Sequence, residues 1–184
     1  MTNSPVHPLR PQPAAAPRPG PDLSYTAGVT RLAAGQPDAL AALTEAVARQ
    51  PDLATTHIAL ACAYALDGNY EQAEKSRKQA QARLGEVTRE ERQQVEILAA
   101  ILTGQVGRAL GLAFEHLDEF NATPLIVHML SGAVAERQDP PLSAEFDAFL
   151  ERVKGKSGQL IPGVPGRQLR SSGPPPATGQ PAAP

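Results

Sequence analysis

The ten residues Leu66-Asp67-Gly68-Asn69-Tyr70-Glu71-Gln72-Ala73-Glu74-Lys75 read LDGNYEQAEK (66–75) and place a glycine, a large ring and a methyl side chain at the spacing G-x-Y-x-x-A. Aromatic residues make up 4% of the chain, so a ring beside a turn glycine is an unusual use of a scarce residue type. Gly68 permits a tight reversal between two helices. Ala73, three residues into the second helix, lets the backbone of the first approach, and the reading assigns the ring of Tyr70 to the gap beside it.

Outward from this stretch, apolar residues between 22 and 154 recur at three and four, the helical step, and almost nothing alternates with period two. Punctuation divides the region into pairs at about 23–50, 53–84, 88–120 and 125–154. The first pair runs from Leu23 to Ala34 and from Asp38 to Arg49, with Gly35 between and Pro37 opening the second helix. In the second, Asp52 is placed to cap Leu53–Leu66, and Tyr70–Leu84 stops at Gly85. Glu71 with Lys75 and Glu74 with Lys78 have the spacing of favourable surface pairs. Thr88 and Glu91 have capping-box spacing at the head of the third pair, which reaches Thr103, turns at Gly104 and resumes from Val106 to Phe120. In the fourth, Leu125–Glu136 precedes a break at Pro140 and Pro141. Leu142, Phe146, Phe149, Leu150 and Val153 then mark one apolar stripe of a closing helix that Gly155 ends.

The pairs repeat. Stepping back 34 residues from Ala73 and Ala80 reaches Ala39 and Ala46, and stepping forward 36 from Gly68, Val106's counterpart Tyr70 and Ala73 reaches Gly104, Val106 and Ala109. Units of this length cannot bury their faces alone and must stack on neighbours. The expected fold is therefore all-α: serially stacked antiparallel helix pairs. Residues 1–21 and 155–184 are rich in proline, alanine and glycine, too poor in large apolar groups to offset chain entropy, and are expected to be disordered tails.

The spacing resembles the tetratricopeptide repeat. The second unit carries it best, with Leu60, Ala61, Tyr64, Gly68, Tyr70, Ala73 and Ala80 at the family's positions; His57 stands where tryptophan is common, and Arg77 replaces a large apolar group. A narrower resemblance links residues 83–129 to the early part of tetratricopeptide repeat protein 38-like chains, which continue with further helix pairs where this chain turns to proline and glycine; that would make this a shortened relative. What the family resemblance implies is a short α-solenoid whose first helices line a groove. Mapped here, the groove holds Thr55, Ile58, Cys62, Ala65, Leu66, Glu91, Gln94, Leu98, Ile101 and Leu102. The lysine, arginine and asparagine set with which such domains clamp a peptide carboxylate is missing. The apolar lining suits an amphipathic helix or short apolar peptide, or a cover formed by neighbouring helices, the closing helix or another copy.

Other chemistries find little support. The net charge is −2, against the basic face of a nucleic-acid binder. Cys62 is the sole cysteine, so no internal disulfide or thiolate cluster is expected, and among Ala61, Ala63 and Ala65 it reads as a small hydrophobe. His57, His116 and His128 lack close ligand spacing, so no metal is expected. No phosphate-loop spacing occurs, and Asp118-Glu119 and Glu90-Glu91 are adjacent and so point to different helix faces. No apolar run approaches a membrane span, and no secretory core is evident. The sequence reading is a cytoplasmic, non-enzymatic protein-interaction scaffold without cofactor, whose partner is a protein or peptide; a self-associating structural module is the alternative, and an enzyme or small-ligand sensor with an unrecognised pocket the weaker one. If Ala73 sits in a close helix crossing, Ala73→Leu costs about 1–3 kcal/mol by overpacking. Urea unfolding followed by circular dichroism measures that loss.

Overall fold

In the computed structural model, residues 22–157 are described; both proline-rich tails lie outside them, except that 155–157 continue the last helix. Eight α-helices follow one another: α1 Leu23–Ala33, α2 Ala39–Arg49, α3 Ala54–Leu66, α4 Tyr70–Ala82, α5 Arg89–Leu102, α6 Val106–Glu119, α7 Pro124–Arg137 and α8 Pro140–Ser157. A 3₁₀ turn, Leu84–Glu86, separates α4 from α5. No strand occurs among the described residues.

The reversals within pairs share one geometry. Gly35, Gly68 and Gly104 have φ of +66°, +77° and +74°, a left-handed conformation that costs other residues energy. In each, the amide after the glycine reaches back to the helix: Gln36 N–H to the Arg31 carbonyl at 2.9 Å, Asn69 to Tyr64 at 2.8 Å, Gln105 to Ala100 at 2.8 Å. The glycine amide itself bonds Leu32, Ala65 or Ile101. This is the Schellman closure, which satisfies carbonyls otherwise orphaned at a helix end. The fourth pair turns at Gln138, also left-handed with φ of 52°. The left-handed residues fall at 35, 68, 104 and 138, so residues 124–157 reverse at the same interval.

Packing follows the same interval. In α2 the buried small residues are Ala39, Ala42 and Ala46; 34 positions on, α4 buries Ala73, Ser76 and Ala80. Ala109 is also fully buried in α6. The tightest crossing uses a glycine that the periodicity did not single out. A methyl group at Gly28 of α1 would stand 2.7 Å from the Leu43 side chain and 3.3 Å from its backbone nitrogen. One and two intervals on, the two places hold Cys62 with Arg77 and Leu98 with Ala113. The small member has moved from the first helix to the second.

The first helices of the pairs form an inner layer. α3 packs on α5 and α5 on α7, as serial stacking requires, and α1 also packs on α7. The array therefore curls until its first and fourth pairs meet. Inner helices enclosed in this way need apolar surface on every side. α3 has it: the ten residues from Ala54 to Ala63 are all buried. α4, in contrast, lies outside, its substantial neighbour being α3.

Four local expectations are corrected. Tyr70 is 74% exposed and fills no gap; it is the first residue of an outer helix whose buried residues begin only at Ala73. Asp52 does not cap α3, whose N-cap is Leu53 without a side-chain bond. Pro140 and Pro141 open α8, tolerated where amide donors are free in any case, with Asp139 Oδ1 accepting from the Leu142 amide. α8 runs through Gly155, because the Lys156 ammonium donates to the carbonyls of Leu117, Asp118 and Phe120 at the end of α6. The capping box forms as expected, with Glu91 N–H bonded to Thr88 Oγ1 at 3.2 Å and Thr88 N–H to Glu91 Oε2 at 2.8 Å.

Two substitutions test the turns. Gly68→Ala should lose about 1 kcal/mol or more, and Gln138→Gly should gain up to about 1 kcal/mol, because each changes the cost of a left-handed residue. At Gly28, alanine gains about 1 kcal/mol of helix propensity but meets Leu43, so the net effect should be a loss of about 1 kcal/mol. Urea midpoints of the three variants, compared at unchanged slope, give the answer.

Candidate interaction surface

The groove expected from the repeat is filled by the protein itself. Ile58, Cys62, Leu98 and Ile101 belong to the hydrophobic core, and Thr55 is buried beside them. Ala65, Glu91, Gln94 and Leu102 are half-buried, and Leu66 alone of the ten is exposed. α1 supplies part of the cover. Its Tyr25 phenol faces the Thr55 hydroxyl without closing to full hydrogen-bond geometry, with Cys62 and Glu91 near it. Burial raises the phenol to about 12. Tyr25 was missed by the sequence reading, although Tyr25, Gly28, Val29 and Leu32 form one stripe at steps of three, one and three.

The polar groups inside the body are structural in their geometry. Burial pushes the Cys62 thiol up to about 12, so the thiolate that would act as a nucleophile is suppressed. The His57 Nε2 lies 2.7 Å from the Pro51 carbonyl oxygen, which also accepts from Arg83 Nε at 2.6 Å. That carbonyl thus ties the loop before α3 to the end of α4. His116 is fully buried, its Nδ1 2.8 Å from Gln93 Oε1 on α5 and its ring 5.2 Å from that of Phe120. His128 is half-buried on α7. Among the described residues no group of three or more His, Cys, Asp and Glu side chains is arranged to hold a metal ion. No helix among them is long and apolar enough to cross a membrane.

The outer surface is mostly polar, and its charges are paired locally. Arg77 occupies an apolar place in the repeat with a side chain only 14% exposed, its guanidinium fixed to Glu74 through two bonds of 2.7 Å and to Gln81 at 2.8 Å. That guanidinium, helped by Lys78 at 3.4 Å, brings the Glu74 carboxyl down to about 2. The expected Glu71–Lys75 contact is not among the ion pairs of the described residues. An open cleft of about 380 Å³ lies between α6 and α8, bounded by Leu117, Asp118, Arg152, Gly155 and Lys156, with Arg152 paired to Asp118.

Large apolar side chains stand out from this surface at two poles. Leu66 and Tyr70, 56% and 74% exposed, flank the Gly68 turn. Leu102, half-buried, holds the equivalent place two residues before Gly104. Leu23, 88% exposed, begins α1 at the opposite pole. No family model matches the chain, and no curated protein or solved structure is similar enough to count as a match.

Burial lowers His57, His116 and His128, the histidines among the described residues, below their ordinary value, and for His57 and His116 it outweighs the neighbours that favour the charged ring. The unfolded chain therefore binds protons from about pH 6.5 downward, before the folded one does. Stability is present in full above that pH and declines as the pH falls through the interval to the folded values. Urea midpoints should be lower at pH 5.5 than at pH 7.5, in a range where most carboxylates have not yet titrated. A flat profile would show that the imidazoles are solvated in the native state.

Proposed function

We propose that this chain is a cytoplasmic, non-enzymatic protein-interaction module, an array of tetratricopeptide-like helix pairs that fills its own inner face and meets a protein partner at the pole of the helix-reversing turns. The observation that carries the reading is the pair Leu66 and Tyr70, both more than half exposed on either side of one rigid turn. An exposed leucine alone needs no explanation. A tyrosine beside it supplies a large, stiff, amphipathic surface of the kind enriched where proteins meet. The Schellman closure beneath holds the two side chains at a fixed separation, so little ordering entropy is lost on docking. The occupant that fits is an apolar segment of a partner protein. The spacing of Gly68, Tyr70 and Ala73, which resembles the tetratricopeptide repeat, supports the same class.

The inner-face residues do not serve as controls for binding, since Leu98→Asp or Ile101→Asp would charge the core. A photo-crosslinking residue at position 70 of the full chain, expressed in its native host, tests the surface directly. Discrete adducts with a second protein are expected at position 70, absent at Lys78 on the same outer helix and lost with Leu66→Asp. Equal labelling at both positions would remove the turn pole from the account. An adduct of twice the chain's mass, with sedimentation that shifts with concentration, would replace the partner by a second copy.

A further inference from the structure

The last turn of α8 is held by charge, and beneath it lies a buried base. Phe146, Phe149 and Val153 anchor α8 in the core. Beyond Val153 the side chains of Lys154 and Lys156 are exposed, and the turn is fixed by the Lys156 ammonium on the carbonyls of Leu117, Asp118 and Phe120 and by the Arg152–Asp118 pair. Those carbonyls end α6, where the helix dipole already favours a cation.

His116 belongs to that same last turn of α6 and is 1% exposed. Its two nitrogens have different surroundings. Nδ1 meets Gln93 Oε1 at 2.8 Å, while Nε2 is buried with no bonded partner and turns toward the Asn121 backbone. A neutral ring can donate from only one nitrogen. The charged and titratable groups that face it are Glu90 on α5, Glu119 on α6 and Lys156 on α8. Glu119 is engaged with Arg89 at 2.5 Å. The two carboxylates favour a proton on the ring. Burial opposes it, and so does Lys156, a second cation at the same helix end.

We propose that the last turn of α8 is an acid-released latch, closed by Lys156 on the α6 C-terminus and opened when His116 takes up a proton. A proton on His116 places a second cation beside Lys156 at the C-terminal end of α6. Of the groups packed there, residues 154–156 are exposed and lie beyond Val153, the last buried residue of α8, so they can leave at the smallest apolar cost, which falls on Leu117. Their release widens the cleft beside Leu117 and lets water reach the imidazolium. The coupling is reciprocal: what closes the latch must hold the proton off, and what removes Lys156 must let it on.

Nitrogen-edited NMR of the labelled full chain between pH 8 and 5 reads both groups at once. The Gly155 amide should move with the His116 ring, at a common midpoint below 6.5. Lys156→Gln should raise the His116 midpoint by a few tenths of a pH unit, and His116→Gln should abolish the Gly155 transition. A Gly155 amide that stays still while His116 titrates would overturn the latch, as would the same transition in His116→Gln. If His116→Gln does not fold, the Lys156→Gln midpoint decides alone: an unchanged or lowered value refutes the coupling. Global loss of dispersion before Gly155 moves refutes it also.

Discussion

The fold depends on how closely two helices can cross when one residue at the crossing is nearly absent. Gly28 against Leu43, and the buried stripe Ala73, Ser76 and Ala80 against α3, bring backbones together at separations that a larger side chain would forbid. Close crossing makes each pair a thin, stiff slab. Dispersion contacts across such a slab are individually small and collectively decisive. The pairs then pack on one another in series, and left-handed residues at 35, 68, 104 and 138 mark their reversals at a nearly constant interval.

The curl of the stack sets what the surface can be. Because α1 reaches α7, the inner helices enclose one another, and α3 is buried on every side from Ala54 to Ala63. A longer, flatter stack would leave those same residues as a groove. The inner side chains here are small, with Ala54, Ala59, Ala61, Cys62 and Ala63 on a single helix, which permits the tight curl. Hydrogen bonds reinforce one pole: the Asp22 amide to Gln50, Arg83 to the Pro51 carbonyl, Arg89 to Glu119 and Lys156 to Phe120. At the other pole Arg137 donates to the Gly104 carbonyl, linking the third turn to the fourth.

Much of the architecture was legible in the sequence because helix boundaries are written in local chemistry. Gly35, Gly68, Gly104, Thr88 and Asn69 each act within one turn of where they stand, and a chain without period-two patterning has few alternatives to helices. The small residues at 39, 73 and 109 were legible for the same reason, since burial repeats with the unit. What failed to read were properties set by distant segments. Nothing near Tyr70 announces that no helix covers it. Nothing near Gly155 announces that Lys156 will find the end of α6 and carry the helix onward. The closure of the inner face was equally hidden. Curvature is a sum of small rotations between slabs, fixed by side-chain volumes on both sides, and it decides whether Ile58 and Leu98 line a groove or a core.

Cys62 gains a particular meaning from this enclosure. It is the only sulfhydryl of the chain, it lies on the buried stretch of α3, and its proton is held well above the range of ordinary buffers. Alkylation at that sulfur needs the inner helices to part, so labelling kinetics time the breathing of the whole stack. The molecule carries its own stopwatch, and any tight association that clamps the stack should slow it.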